Sequence, residues 1–136
     1  MISERAVVLR ILDANFNRLR EALRVIEETE RFCNDNRDSA SLLKSLRDLC
    51  REAYCMLPEK ELLAARNSAA DVGRASAGKG EMSRTGVHEI AAANFKRAEE
   101  AARVVEEYSK IINSDVSRIA KELRYSLYDL EKNLRT

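Results

Sequence analysis

The sequence predicts an all-α protein: duplicated helical hairpins forming a four-helix-type bundle with a long Gly-rich central loop. Three observations predict it. Helix breakers are scarce, with one Pro and four Gly in 136 residues, and aromatics make up only 5%, a profile that disfavours sheet architectures. Apolar residues recur at the i, i+3, i+4, i+7 spacing of a helical face. The chain also repeats itself. ANFNRLREALRVIEE at 14–28 returns as ANFKRAEEAARVVEE at 93–107, which sets Asn15 against Asn94, 79 positions on. A fainter echo, Lys44-Ser-Leu-Arg47 against Lys121-Glu-Leu-Arg124, has an offset of 77. The change of two positions falls in the turn inside a hairpin. Duplication of a helix pair implies a single domain of approximate two-fold symmetry, with halves at about 5–57 and 87–135 and a connecting loop over 58–86.

The first long helix carries Val8, Ile11, Leu12, Leu19, Ala22, Val25 and Ile26 on one face, and Phe16 at its edge reads as core. The second presents Leu42, Leu46, Leu49, Ala53 and Leu57. Ser39 or Ser41 would cap its start, and Pro58 would stop it. A short helix is expected over 60–65, and all four glycines follow between 68 and 86. A connection this long in a compact domain is either functional or disordered. The third helix repeats the first through Val87, Ile90, Ala91, Ala98, Ala101, Val104 and Val105, with Phe95 again read as core and His88 as a surface or capping residue. The fourth carries Ala120, Leu123, Leu127, Leu130 and Leu134 behind a Ser114 or Asp115 cap.

Charge narrows the function classes. Lys plus Arg is 24 and Asp plus Glu is 23, for a net charge of +1. That balance argues against nucleic-acid binding as the main task and offers nothing to an anionic membrane surface. No apolar run nears the roughly 18 residues that span a bilayer, and Glu4, Arg5 and Arg10 interrupt anything like a signal peptide. Cys33, Cys50, Cys55 and the single His88 make no zinc pattern. The thiols are expected reduced and packed inside a cytoplasmic protein.

Polar residues share the apolar face. Turning about 100° per residue from Asn15, the apolar arc of the first helix runs from about 260° through 0° to about 100°. Asn15 lies at its centre, Arg18 inside it, and Glu21 and Glu28 at its border. Asn94, Arg97, Glu100 and Glu107 repeat the arrangement. A buried arginine without partners costs several kcal/mol. Two readings follow. In one, Arg18 and Arg97 grip phosphate oxygens in a polar cavity, while Asn15 and Asn94 read a ring edge. In the other, these groups form a ligand-free internal network. Arg10, Arg20, Glu27 and Lys96 are expected on solvated faces. Arg24 and Arg103 are expected as exposed ion-pair partners at i, i+3 and i, i+4 spacing.

The central loop gathers Arg66, Asn67, Asp71, Gly73, Arg74, Lys79, Glu81 and Arg84. Its segment from Gly73 to Gly80 approaches the phosphate-cradling G-x-x-x-x-G-K-[ST]. It fails at Gly80, where a hydroxyl should hold Mg²⁺, and no strand precedes it. Glycine N–H groups beside Arg and Lys can bind phosphate without that fold; the other reading is a flexible basic linker.

Several of these residues carry a family resemblance. Ile11-Leu-Asp-Ala-Asn-Phe-Asn-Arg18, Glu21 through Glu28, Lys44-x-Leu-Arg47, Ala65-Arg66, Asp71-Val-Gly73, Glu81 with Arg84, and Ala93 through Tyr108 are similar to a helical domain often fused ahead of thiamine-phosphate synthase. That domain resembles the monofunctional hydroxymethylpyrimidine-phosphate kinase family over about residues 5–134. The resemblance implies a stand-alone phosphotransferase. It would move the γ-phosphoryl of ATP, with Mg²⁺, onto hydroxymethylpyrimidine phosphate in thiamine biosynthesis, by alignment and charge neutralisation. Under it, Arg18, Arg97, Arg66, Asp71 and Arg84 are catalytic candidates. Asn15, Asn94, Glu21, Glu100, Arg47, Lys44 and Gly73 are substrate or nucleotide contacts. Glu28 and Glu107 are metal-ligand candidates. The alternative is a non-catalytic helical partner or regulator of thiamine-phosphate synthase. A homodimer through leftover apolar surface and association with the synthase are further expectations.

Overall fold

The structure, a computed structural model, describes residues 2–76, 78 and 83–136. Among them every regular element is helical: α1 (Glu4–Glu28), α2 (Arg37–Cys55), α3 (Glu59–Ala65), α4 (Val87–Ser109) and α5 (Ser114–Arg135). A π-helical turn, Thr29–Cys33, extends α1, and a 3-10 turn, Ser68–Ala70, follows α3. The all-α expectation holds, as does the short helix after Pro58.

Helix starts differ from expectation. Asn36 caps α2 and Asn113 caps α5, their side chains accepting from the backbone N–H of Ser39 and of Asp115. Serines 39, 41 and 114 and Asp115 all lie inside the helices. An asparagine in extended backbone already places its carbonyl over the first free amides, so the later residues are not needed. The two caps stand 77 positions apart, the spacing of the fainter repeat. The turn leading to Asn36 is longer than the one leading to Asn113, and the π-helical turn absorbs the excess. Asp35 closes it at a φ of 49°, a left-handed conformation that Asp tolerates better than most residues.

Helix α1 packs on α4, α2 and α3, and α5 packs on α4 and α2. Glu27 meets Arg47, and Phe16 meets Tyr54. These contacts run in opposite chain order, so α2 is antiparallel to α1. Glu106 with Arg124, and Lys96 with Glu131, make α5 antiparallel to α4 in the same way. The core joins Leu12, Phe16, Leu19 and Leu23 of α1 to Phe95, Ala98, Ala102 and Val105 of α4, closed by Leu43 and Cys50 of α2 and Leu123 and Leu127 of α5. Small residues on α4 allow α1 a close approach.

The buried face of α1 is turned from the expected one. It reaches Asp13 and Glu27, about 160° and 120° round from Asn15, while Ile11 and Val25 on the other side are only half-buried. Coverage by α2 and α3 as well as α4 moves the face, and apolarity at single positions does not decide it. On α2 the same effect buries Leu43 and leaves Leu42 44% exposed. Only Cys50 among the thiols is buried, while Cys33 and Cys55 are exposed. Burial pushes the Cys50 thiol up to about 12. His88 is exposed in the first turn of α4, as expected. Among the described residues no helix is long and apolar enough to cross a membrane.

Candidate functional site: a groove along the first helix

Arg18 and Arg97 are both exposed, which corrects the expectation of inward guanidinium groups. The buried face of α1 is turned toward Glu27 and that of α4 toward Glu106, which places both arginines at the rim. Asn15 is buried, and its amide donates to the Ile11 carbonyl at 2.9 Å; Asn94 donates to the Ile90 carbonyl at 2.8 Å. Each asparagine thus satisfies its N–H donor against its own helix. The Asn15 side-chain oxygen faces Arg18, whose Nη1 stands 3.5 Å away.

The buried charges are others. Glu27, expected on a solvated face, is buried and accepts from Arg47 Nε and Nη2 at 2.9 and 3.1 Å. Glu106 accepts from Arg124 Nε and Nη2 at 3.0 and 2.9 Å. Arg47 is therefore a structural partner whose fork is filled, which corrects its reading as a phosphate contact. Its guanidinium pKa is raised, chiefly by the Glu27 hydrogen bond. The sequence held a sign of this: Glu27 and Glu106 both fall on repeat positions, and so do Arg47 and Arg124. Lys96 is largely exposed, yet it bridges Glu99 at 3.2 Å and Glu131 at 3.0 Å. Burial first, and hydrogen bonding with Glu131 second, push the Glu99 carboxyl up to about 7.

One part of the expected site is assembled. From the end of α3, Arg66 Nε and Nη2 each reach a carboxylate oxygen of buried Asp13 at 2.7 Å. Arg10 Nη2 adds a 3.4 Å bond to the Asn67 carbonyl. Together they hold the 66–72 stretch beside α1. The Asn67 side chain accepts from the Ala70 N–H, and Asp71 Oδ1 accepts from the Gly73 N–H at 2.9 Å, so the stretch is shaped by its own Asx-type turns. Between it and α1 lies a groove of about 630 Å³ whose lining includes Asn15, Arg18, Arg66 and Asp71, with Val7, Ile11 and Val72 as apolar wall. Gly73 adjoins through Asp71. Asp13, which anchors the groove, was not singled out in the sequence. Its only sign there was a carboxylate close to the apolar face.

The remaining candidates are not brought to this groove. Asn94 is half-buried, and Arg97 and Glu100 are exposed, on α4; Glu21 and Lys44 are exposed on α1 and α2. Arg84 Nη1 donates to the Ser83 carbonyl. Glu28 pairs with Arg24 at 2.9 Å, and Glu107 pairs with Arg103 at 3.2 Å and Lys110 at 3.1 Å. These are the helix-surface pairs expected of Arg24 and Arg103. They also neutralise the two carboxylates expected to hold Mg²⁺, which therefore fit that ion poorly. Among the described residues no cluster of three His, Cys, Asp or Glu side chains converges. Much of the Gly73-to-Gly80 segment, with Lys79 and Glu81, lies outside the described residues.

The sequence pattern of the ThiD2 family matches residues 10–133. The chain belongs to the ThiD2 family. It is 42% identical, over 97% of its length, to a protein of Thermosynechococcus vestitus named thiamine-phosphate synthase. It is similarly 42% identical over 94% of its length to one from Nostoc punctiforme, and 39% identical over 96% to one from Gloeobacter violaceus, both of the same name. It covers 36%, 35% and 37% of those proteins respectively, so it spans about a third of the length of the curated relatives it matches. No solved structure matches the chain. The relatives are named as synthases and not as kinases, which overturns the expectation of a phosphotransferase acting on hydroxymethylpyrimidine phosphate.

Proposed function

We propose that this chain serves thiamine-phosphate biosynthesis as a helical partner or regulatory domain of thiamine-phosphate synthase. The observation that carries the reading is its alignment along nearly its whole length with about a third of each relative. A unit that matches part of a longer enzyme, and folds around its own core, has the makings of a domain that acts on its neighbour.

The groove beside α1 supplies the regulatory input in this reading. Its volume of about 630 Å³ lies within the range of small-molecule sites. Val7, Ile11 and Val72 offer a wall for a ring, and the Arg18 rim offers donors for a phosphate. Arg66 acts here as a positioning residue, because Asp13 occupies its Nε and Nη2. A phosphorylated pyrimidine would then bind without undergoing chemistry, and binding would stiffen the 66–72 stretch.

The direct test mixes the purified chain with the catalytic portion of a thiamine-phosphate synthase. The expected result is a complex in sedimentation velocity and a changed synthase KM, the latter weakened by Arg18→Gln. Absence of both association and kinetic effect would sink the proposal.

A further inference from the structure

A second groove, of about 600 Å³, lies between α1 and α2. Four arginines line it: Arg20 and Arg24 one turn apart on α1, and Arg47 and Arg51 one turn apart on α2. Like charges one turn apart repel, so such a set calls for neutralisation. Two of the four have it. Arg24 pairs with Glu28 and Arg47 with Glu27. The same two pairs recur in the second hairpin as Arg103 with Glu107 and Arg124 with Glu106. The repeated interhelical pair, Arg47 with Glu27 and Arg124 with Glu106, is part of how each hairpin packs.

Arg20 and Arg51 break the repeat. Glu99 and Tyr128 stand at the corresponding positions of the second half, so hairpin packing does not require these cations. Neither is within ion-pair distance of a carboxylate among the described residues. The Arg20 guanidinium lies 5.9 Å over the Tyr54 ring. That contact uses its face and leaves its in-plane N–H donors free. Arg51 is exposed, with no hydrogen bond among the described residues. Glu21 and Asp48 also line the groove. They would repel a bare anion and favour one that brings hydrogen-bond donors of its own.

We propose that the groove between α1 and α2 binds the phosphate end of a phosphorylated small molecule, with Arg20 and Arg51 as phosphate donors and Glu21 and Asp48 accepting from its hydroxyl or amino groups. This site is distinct from the groove along α1, and it does not depend on the partner-domain reading.

Titration calorimetry at low ionic strength tests it, with inorganic phosphate and ribose 5-phosphate as probes. Both should bind saturably, ribose 5-phosphate more tightly, and added salt should weaken both. Arg51→Gln and Arg20→Gln should each weaken both probes by about tenfold, or 1.4 kcal/mol. Asp48→Asn should weaken ribose 5-phosphate alone. Lys132→Gln, exposed on α5 and away from the groove, should change neither. Because Arg51 is exposed, its variant should keep the wild-type melting temperature. Absence of saturable binding, binding indifferent to Arg51→Gln, or binding lost with Lys132→Gln would each overturn the assignment. Any of these would leave association with the synthase untouched, so the two proposals fail separately.

Discussion

Burial of Glu99 at the contact of α4 and α5, together with its hydrogen bond to Glu131, pushes its carboxyl up to about 7. Burial also acts to raise Glu131, but hydrogen bonds from Glu99, Lys96 and Arg135 outweigh it and hold that carboxyl below its ordinary value. The two groups therefore act on stability in opposite pH windows. Folded Glu99 keeps a proton that the unfolded chain releases near 4.5. Its contribution is fully present below that value and is lost as pH rises through about 7. The Glu131 contribution is present above its ordinary value and is lost as pH falls through its lowered one. Melting temperatures of the wild type should decline from about pH 5 to about pH 8, and Glu99→Gln should flatten that decline. A variant that follows the wild type across the range would refute the assignment. The sequence did not reveal Glu99, because a carboxylate one position from the apolar face reads as solvated until a second helix covers it.

At the scale of elements, each hairpin is tied by a glutamate on its first helix and an arginine on its second. In the second hairpin both partners are nearly buried, at 8% exposure for Glu106 and 11% for Arg124. Removing one partner of such a pair strands a buried charge, at a cost of about 3 kcal/mol. Arg124→Met should therefore lower the melting temperature clearly, and adding Glu106→Leu should recover much of the loss. Equal losses in the single and double variants would show that the pair contributes nothing beyond side-chain volume. Arg47→Met should likewise destabilise the first hairpin, since the Glu27 it strands is only 7% exposed. The helical character of the chain and the face of α5 were legible from periodicity; the face of α4 was not, since Val87 is exposed and Glu99 and Glu106 are buried. The caps were less so: Asn36 and Asn113 repeat at the spacing of the fainter motif, but serines nearby offered the same chemistry.

For the molecule as a whole, the 66–72 stretch is joined to the helical body through few contacts, the Arg66–Asp13 pair foremost. Local and global stability should therefore separate. Asp13→Asn should speed amide exchange and proteolysis around Arg66 to Arg74 while leaving exchange in α4 and α5 unchanged. Equal acceleration throughout would mean that the stretch belongs to the cooperative core.

By itself the sequence determined the all-α class and the likeness to the helical part of thiamine-phosphate synthase, because apolar spacing and residue pattern are properties of the chain alone. Tertiary structure decided which side of α1 is buried. That side is set by the combined cover of α2, α3 and α4, and a rotation of a fraction of a turn exchanges one set of charges for another. It carried Arg18 out to solvent, drew Asp13 and Glu27 inward, and so moved the candidate site from the middle of the helices to a groove on their flank.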